Sequence, residues 1–280
     1  MHRKWKPKDE IYTCLSSFTS KLLIMSKRFS MVTMILALLL LVTAAQSQNK
    51  TMKLSTKSGK ARELASKGLT HMMNLEGPQA YEYVKQAVEL DPDFTFAQVL
   101  MANLSSGSVK KQFSANALKS SANKSEGEKM LVTLLDTGMS EDSRRDVWAR
   151  LYTMFPDDKM VGIYYVFTRA TPAEQLTITE QLVKKFPNEA ALYNIMGYLY
   201  LQEKKDTTTA KTYFEKYITM YPEGSNPYDS MGEFYLLTGD MDNSEKYYKL
   251  ALEKYPFNSS SREKLKEINA AKEKAKQTTN

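Results

Sequence analysis

Asp229 and Glu233 stand four residues apart in the segment NPYDSMGEFYLLTGD (226–240). That spacing puts both carboxylates on one face of a helix. Such a pair can divide the work of a general acid and a general base, the chemistry that cleaves glycosidic bonds. The same positions also suit a groove that contacts a ligand, or a solvated helix face. A second acidic stretch, GDMDNSEKYY (239–248), has the look of a cation loop. A helix-loop-helix calcium site needs glycine at its sixth position and glutamate at its twelfth. Counted from Asp240, those positions hold Glu245 and Ala251, so the stretch reads as a turn: Gly239 ends one helix, and Asp240 or Asp242 starts the next.

Little else in the chain could carry chemistry. His71 is the only histidine beyond the first few residues, and Cys14 the only cysteine. A zinc site would therefore depend on carboxylates, an uncommon donor set, and no cysteine nucleophile or disulfide framework follows. TKSGKA (56–61) contains Gly-Lys without the upstream glycine or preceding strand of a phosphate loop. No cofactor and no metal are expected.

The chain has 280 residues and a formal charge of +7, from 39 Lys/Arg and 32 Asp/Glu. Seven of those bases and two of the acids lie in residues 1–47, which leaves 32 against 30 for the remainder. That near balance removes the case for a nucleic-acid partner. Lys27 and Arg28 precede the apolar run MVTMILALLLLV (31–42), which small residues follow. Charged, apolar and small segments in that order form a signal peptide, and the run is shorter than the roughly 20 residues a spanning helix needs. Residues 1–47 are expected to be a leader whose true start is Met25, cleaved near Ala45 or Ser47. A periplasmic or secreted protein with no membrane insertion after cleavage follows; a retained N-terminal anchor is the alternative. Residues 48–58 read as a flexible linker, within a polar stretch beginning at 46.

From residue 59 onward, amphipathic segments of about 10 to 17 residues alternate with short breaks, with no strand pattern. Helices are expected at 59–75, 78–90, 94–105, 108–122, 125–137, 141–155, 158–169, 172–186, 189–203, 206–221, 226–238, 241–255 and 259–275. Pro222 and Pro256 are 34 residues apart, each after a tyrosine. Behind Pro256 stand Tyr228, Met231, Gly232, Tyr235, Ser244, Tyr248 and Ala251; behind Pro222 stand Tyr193, Met196, Gly197, Tyr200, Ala210, Phe214 and Tyr217. The spacings agree apart from one extra residue near EKKDTTT. A weaker copy runs through Leu64, Gly68, His71, Ala80, Val84, Ala87 and Pro92. His71 there fills the slot of Tyr200 and Tyr235, a packing position.

With these residues the chain resembles the tetratricopeptide repeat family, whose helix-turn-helix unit carries the same pattern. The resemblance covers repeats at 60–92, 189–222 and 226–256, with degenerate repeats over 94–187; residues 104–140 read as a degenerate hairpin or a long loop. It implies an all-α solenoid, a right-handed superhelix of about five or six hairpins. The amphipathic helix after residue 258 would cap the stack, and residues 276–280 would form a polar tail.

The resemblance further implies a non-catalytic scaffold or adaptor of the bacterial cell envelope that binds a protein or peptide in its concave groove. The inward positions of the clear repeats are then Asn194, Tyr198, Asp229 and Glu233, whose acids would favour a basic partner. A cell-envelope carbohydrate-active enzyme using Asp229 and Glu233 and a structural assembly subunit are the alternatives.

Overall fold

The computed structural model describes residues 50–279; the leader, with its signal peptide, Cys14 and cleavage site, lies outside them. Thirteen α-helices and no strand occur among the described residues. In chain order they are α1 (Gly59–Met73), α2 (Gly77–Leu90), α3 (Thr95–Asn103), α4 (Gly107–Ser120), α5 (Glu126–Thr133) and α6 (Glu141–Met154). They continue as α7 (Lys159–Phe167), α8 (Pro172–Lys185), α9 (Ala190–Tyr198), α10 (Thr207–Met220), α11 (Asn226–Leu237), α12 (Met241–Lys254) and α13 (Ser259–Thr279). Every expected helix is present, and residues 104–140 hold α4, a short 3-10 turn and α5 rather than a long loop. Helix α5 is shorter than expected because Asp136 and Gly138 form a turn, and the Arg144 guanidinium binds the freed carbonyl of Leu134 at 2.8 Å. Helix α13 runs through most of the expected polar tail.

Local chemistry sets the helix ends. Ser58, Ser140 and Asp158 cap α1, α6 and α7 with their side chains, and Ser125/Glu128 and Thr171/Glu174 form complete capping boxes on α5 and α8. Proline sterics disfavour helical backbone at the preceding residue. Asp91, Tyr221 and Tyr255, before Pro92, Pro222 and Pro256, accordingly adopt φ near −147°, −139° and −143°, ending α2, α10 and α12.

The signature residues meet across the hairpins. An added Cβ on Gly197 would lie 2.6 Å from the Phe214 ring, and one on Gly232 would lie 2.9 Å from Tyr248. One on Gly68 would lie 2.3 Å from a methyl of Val84 and 3.1 Å from the Ala80 carbonyl. Ala80, Ala210 and Ser244 are fully buried opposite these glycines, and the Ser244 hydroxyl donates to the Gly232 carbonyl at 2.8 Å. Tyr235 stacks on Tyr247, and Tyr200 packs on Tyr213, in the later repeats.

The turn inside each clear hairpin is built alike. Its last residue before the next cap has positive φ: Leu75 at 59°, Lys205 at 55° and Gly239 at 86°. The capping residue then closes the turn through its backbone N–H: Glu76 to His71, Asp206 to Tyr200 and Asp240 to Tyr235. The extra residue of the second repeat is absorbed upstream, where Leu199–Glu203 widens into a π-helical turn.

Residues 50–58 differ from the flexible linker expected of them. They form an extended strap that binds turns of the stack: the Lys50 N–H bonds Asp157 at 2.8 Å, that of Met52 bonds Asp158, and the Thr56 hydroxyl bonds Asp91. Ser55 donates its N–H and hydroxyl to Glu128, which is fully buried. Met52 is buried in the main core, which runs without a break to Leu192. Polar composition suggested mobility, but short hydroxyl side chains satisfy buried acceptors as readily as they face water.

Candidate functional site

The expected groove residues lie on α9 and α11, where hairpin packing aligns the first helices of adjacent repeats. Tyr198 and Glu233 come together, the phenol donating to Oε2 at 2.6 Å. Burial, and then the neighbouring Glu233 charge, push the Tyr198 phenol far above its ordinary range. Asn194 is buried with its Oδ1 unpartnered by any protein group.

Asp229 has a different position from the one its sequence suggested. It is 9% exposed and lies against the start of α13, where Oδ1 accepts from the Ser261 hydroxyl and Oδ2 from Ser260 at 3.3 Å. Burial raises its pKa, opposed by the two serine bonds. The capping helix therefore covers this carboxylate, whereas Glu233 stays half-buried beside Tyr198.

An apolar recess lies elsewhere, among the earlier helices of the stack. A cavity of about 430 Å³ is lined by Met72 of α1, Phe96 and Leu100 of α3, Leu131 of α5, Trp148 of α6 and Tyr164 of α7. Trp148 stacks on Tyr164 with ring centroids 5.0 Å apart and planes 9° apart. Beside them Tyr152 stacks on Tyr165, which carries the Arg169 guanidinium 3.9 Å from its centroid. Arg144 is the only charged residue in the lining, and Phe167, 58% exposed, stands at the rim. Apolar walls with a few polar groups at the edge are the usual make-up of a binding recess.

Sequence reasoning missed this cavity, although a signal was present. Helices α3 (TFAQVLMAN) and α7 (KMVGIYYVF) are apolar nearly all round. A helix without a polar face has a second face to cover besides the hairpin core. On α11 that second face carries Asp229 and Glu233 instead.

A polar cluster joins the first hairpin to a turn far along the chain. Glu76 is 4% exposed; its Oε1 accepts the Ser225 N–H at 2.7 Å and the Asn226 N–H at 3.3 Å. Its Oε2 accepts the Tyr221 hydroxyl at 2.7 Å and lies 2.7 Å from His71 Nδ1. His71 also stacks on Tyr83. Burial disfavours the Glu76 charge, but the bonds from His71, Tyr221 and the two backbone amides outweigh it and hold the carboxyl below its usual range. Asp206 and Asp240, at the matching positions, cap their own helices, whereas the longer Glu76 makes no such bond and reaches across the stack. His71 is thus a packing and hydrogen-bonding residue, in keeping with its slot. Among the described residues no group of three or more His, Cys, Asp or Glu is placed to hold a metal ion, and no helix is long and apolar enough to cross a membrane.

Two segments of the chain, 190–224 and 226–258, each match a family model described as the tetratricopeptide repeat. They coincide with α9–α10 and α11–α12, so these residues form two tetratricopeptide repeats. No curated protein matches the sequence. Among solved structures it is similar to PilW, a widely conserved type IV pilus biogenesis factor, at 10% identity over 74% of this chain and 99% of that one, with a TM-score of 0.45. It is similar also to a tetratricopeptide-repeat protein of Thermus thermophilus, at 13% identity over 75% and 99% of the two chains, TM-score 0.38. A third similarity is to the Cut9–Hcn1 hetero-tetramer of the APC/C, at 15% identity over 75% of this chain and 42% of that one, TM-score 0.46.

Proposed function

We propose that the protein is a non-catalytic scaffold or adaptor that holds a segment of a partner protein in the concave side of its helical stack. The carrying observation is the cavity lined by Trp148 and Tyr164, where α1, α3, α5, α6 and α7 present apolar side chains to open space. Tetratricopeptide repeats in general act as protein-interaction scaffolds. Bulky apolar groups of the partner would enter the cavity, with Arg144 at its edge. Farther along, Asn194, Tyr198 and Glu233 would line the partner's path, with the half-buried Glu233 meeting its polar groups. Asp229 supports that surface from beneath, through its bonds to α13.

The signal-like order of residues 1–47 favours a periplasmic or secreted location, with a bacterial cell envelope as its setting. Against the carbohydrate-enzyme reading stand the covered position of Asp229 and the Tyr198 bond on Glu233. The test is capture of partners from envelope extract with wild-type protein and with Phe167→Asp, which places a charge at the cavity rim without touching the core. A partner held by the wild type and lost at least tenfold by the variant supports the proposal. Equal recovery of every partner rejects it.

A further inference from the structure

A second recess lies outside the cavity just described, where the turn of the first hairpin meets the last repeat and the start of α13. It encloses about 190 Å³, the volume of about six waters or one long side chain. Its rim carries Leu75, 68% exposed, and Phe257, 74% exposed, the two most exposed large hydrophobic residues among those described. Pro78 and Tyr255 extend that rim, the Tyr255 ring packing edge-on against Phe257 at 5.9 Å.

The floor is acidic. Glu76 and Asp229 are the only charged residues in the lining among the described residues. Glu76 already accepts four hydrogen bonds and contributes mainly its charge. Asp229 accepts only two, both from serine hydroxyls, so it retains acceptor capacity. Gln79 adds a buried Oε1 with no protein partner.

Leu75 is also costly where it stands. Its φ of 59° lies in the left-handed region, where glycine or asparagine is favoured by about 1 kcal/mol or more, and the matching turn uses Gly239. A leucine that strains the backbone and buries little within its own chain gains a reason if a partner covers it.

We propose that this recess docks a segment of a partner protein in which one lysine or arginine is flanked by bulky apolar residues. The cation enters toward Asp229 in the field of Glu76, and the apolar flanks cover Leu75 and Phe257. The surface is separate from the cavity beside Trp148 and does not depend on that reading.

Fluorescence anisotropy tests the proposal with a labelled heptapeptide, Ser-Gly-Leu-Lys-Phe-Gly-Ser, and a twin carrying glutamate in place of lysine. The lysine peptide is expected to bind saturably and the glutamate peptide at least tenfold more weakly. Leu75→Gly and Phe257→Ser are each expected to weaken the lysine peptide at least threefold, whereas Phe167→Asp leaves it unchanged. Leu75→Gly relieves the positive φ, so its melting temperature should hold or rise and misfolding cannot explain lost binding. Absence of saturation to about 1 mM, or equal affinity of the two peptides, overturns the proposal. Loss of binding in Phe167→Asp with retention in Leu75→Gly also overturns it, placing the peptide in the cavity instead. If Phe257→Ser converts a dimer to a monomer in sedimentation, the occupant is a second copy of this chain, and the proposal fails.

Discussion

Replacing Glu76 tests whether one side chain fastens the first hairpin to the turn before α11. In Glu76→Ala the Ser225 N–H, on a residue 4% exposed, loses its only acceptor at 2.7 Å. A buried donor left unpaired costs about 1–3 kcal/mol, and losing the bond from the Tyr221 hydroxyl adds about 1 kcal/mol because water can replace part of it. The expected loss is about 2–4 kcal/mol, large against a typical total of about 5–15 kcal/mol. Glu76→Asp is more discriminating. Its shorter carboxylate can cap α2 as Asp206 and Asp240 cap α10 and α12, recovering about 1 kcal/mol, yet it cannot reach Ser225. It should therefore lie between the wild type and Glu76→Ala. Guanidinium unfolding reads the global loss, and amide exchange at Ser225 reads the local one, which at 1.4 kcal/mol per tenfold is about 30- to 700-fold faster in Glu76→Ala. Both variants falling within about 0.5 kcal/mol of the wild type, with Ser225 exchange unchanged, would refute the reasoning.

Two further perturbations follow from the packing and the electrostatics. Gly68→Ala gains about 1 kcal/mol of helix propensity but drives a Cβ to 2.3 Å from Val84 Cγ2, in a wholly buried contact beside the Ala80 carbonyl, so a net loss of about 1–2 kcal/mol is expected in thermal or chemical melts. For Asp229 and Glu76 the pH effects have opposite signs. Burial lifts the Asp229 pKa above its ordinary 3.8, so its charge opposes folding at neutral pH and that opposition fades as pH falls through the raised value. Asp229→Asn, which keeps an acceptor for Ser261, should be neutral or slightly stabilising at pH 7. Glu76 titrates below its ordinary 4.5, so its contribution is complete above that value and is lost as pH falls through the lowered one. A pH series of melts on the two single variants checks both signs.

The helices were readable because caps, prolines and apolar periodicity act within a few residues, as the extended backbone of Asp91, Tyr221 and Tyr255 before their prolines illustrates. The repeat register was readable for the same reason: Gly232, Ser244 and Tyr248 lie within one hairpin and meet as their spacing required. The cavity was not, because it depends on side chains from five helices whose juxtaposition no short window contains. Glu76 was hidden more thoroughly, since it occupies a capping position while its partners lie 145 to 150 residues away. Asp229 misled because helical periodicity places a side chain on a face without saying what packs there. The strap was not legible because polar composition does not separate a mobile segment from one whose N–H and hydroxyl groups donate to Glu128, Asp91 and Asp158.

The central claim, that the apolar cavity holds a partner protein, is tested most directly by site-specific photo-crosslinking in cells. A benzophenone side chain at Phe167, on the cavity rim, is compared with one at Leu118, an exposed position on α4 outside the cavity lining. Covalent adducts with a discrete protein from position 167 and none from 118 are the predicted result. Adducts from 118 alone, or the same products from both positions, would contradict the account.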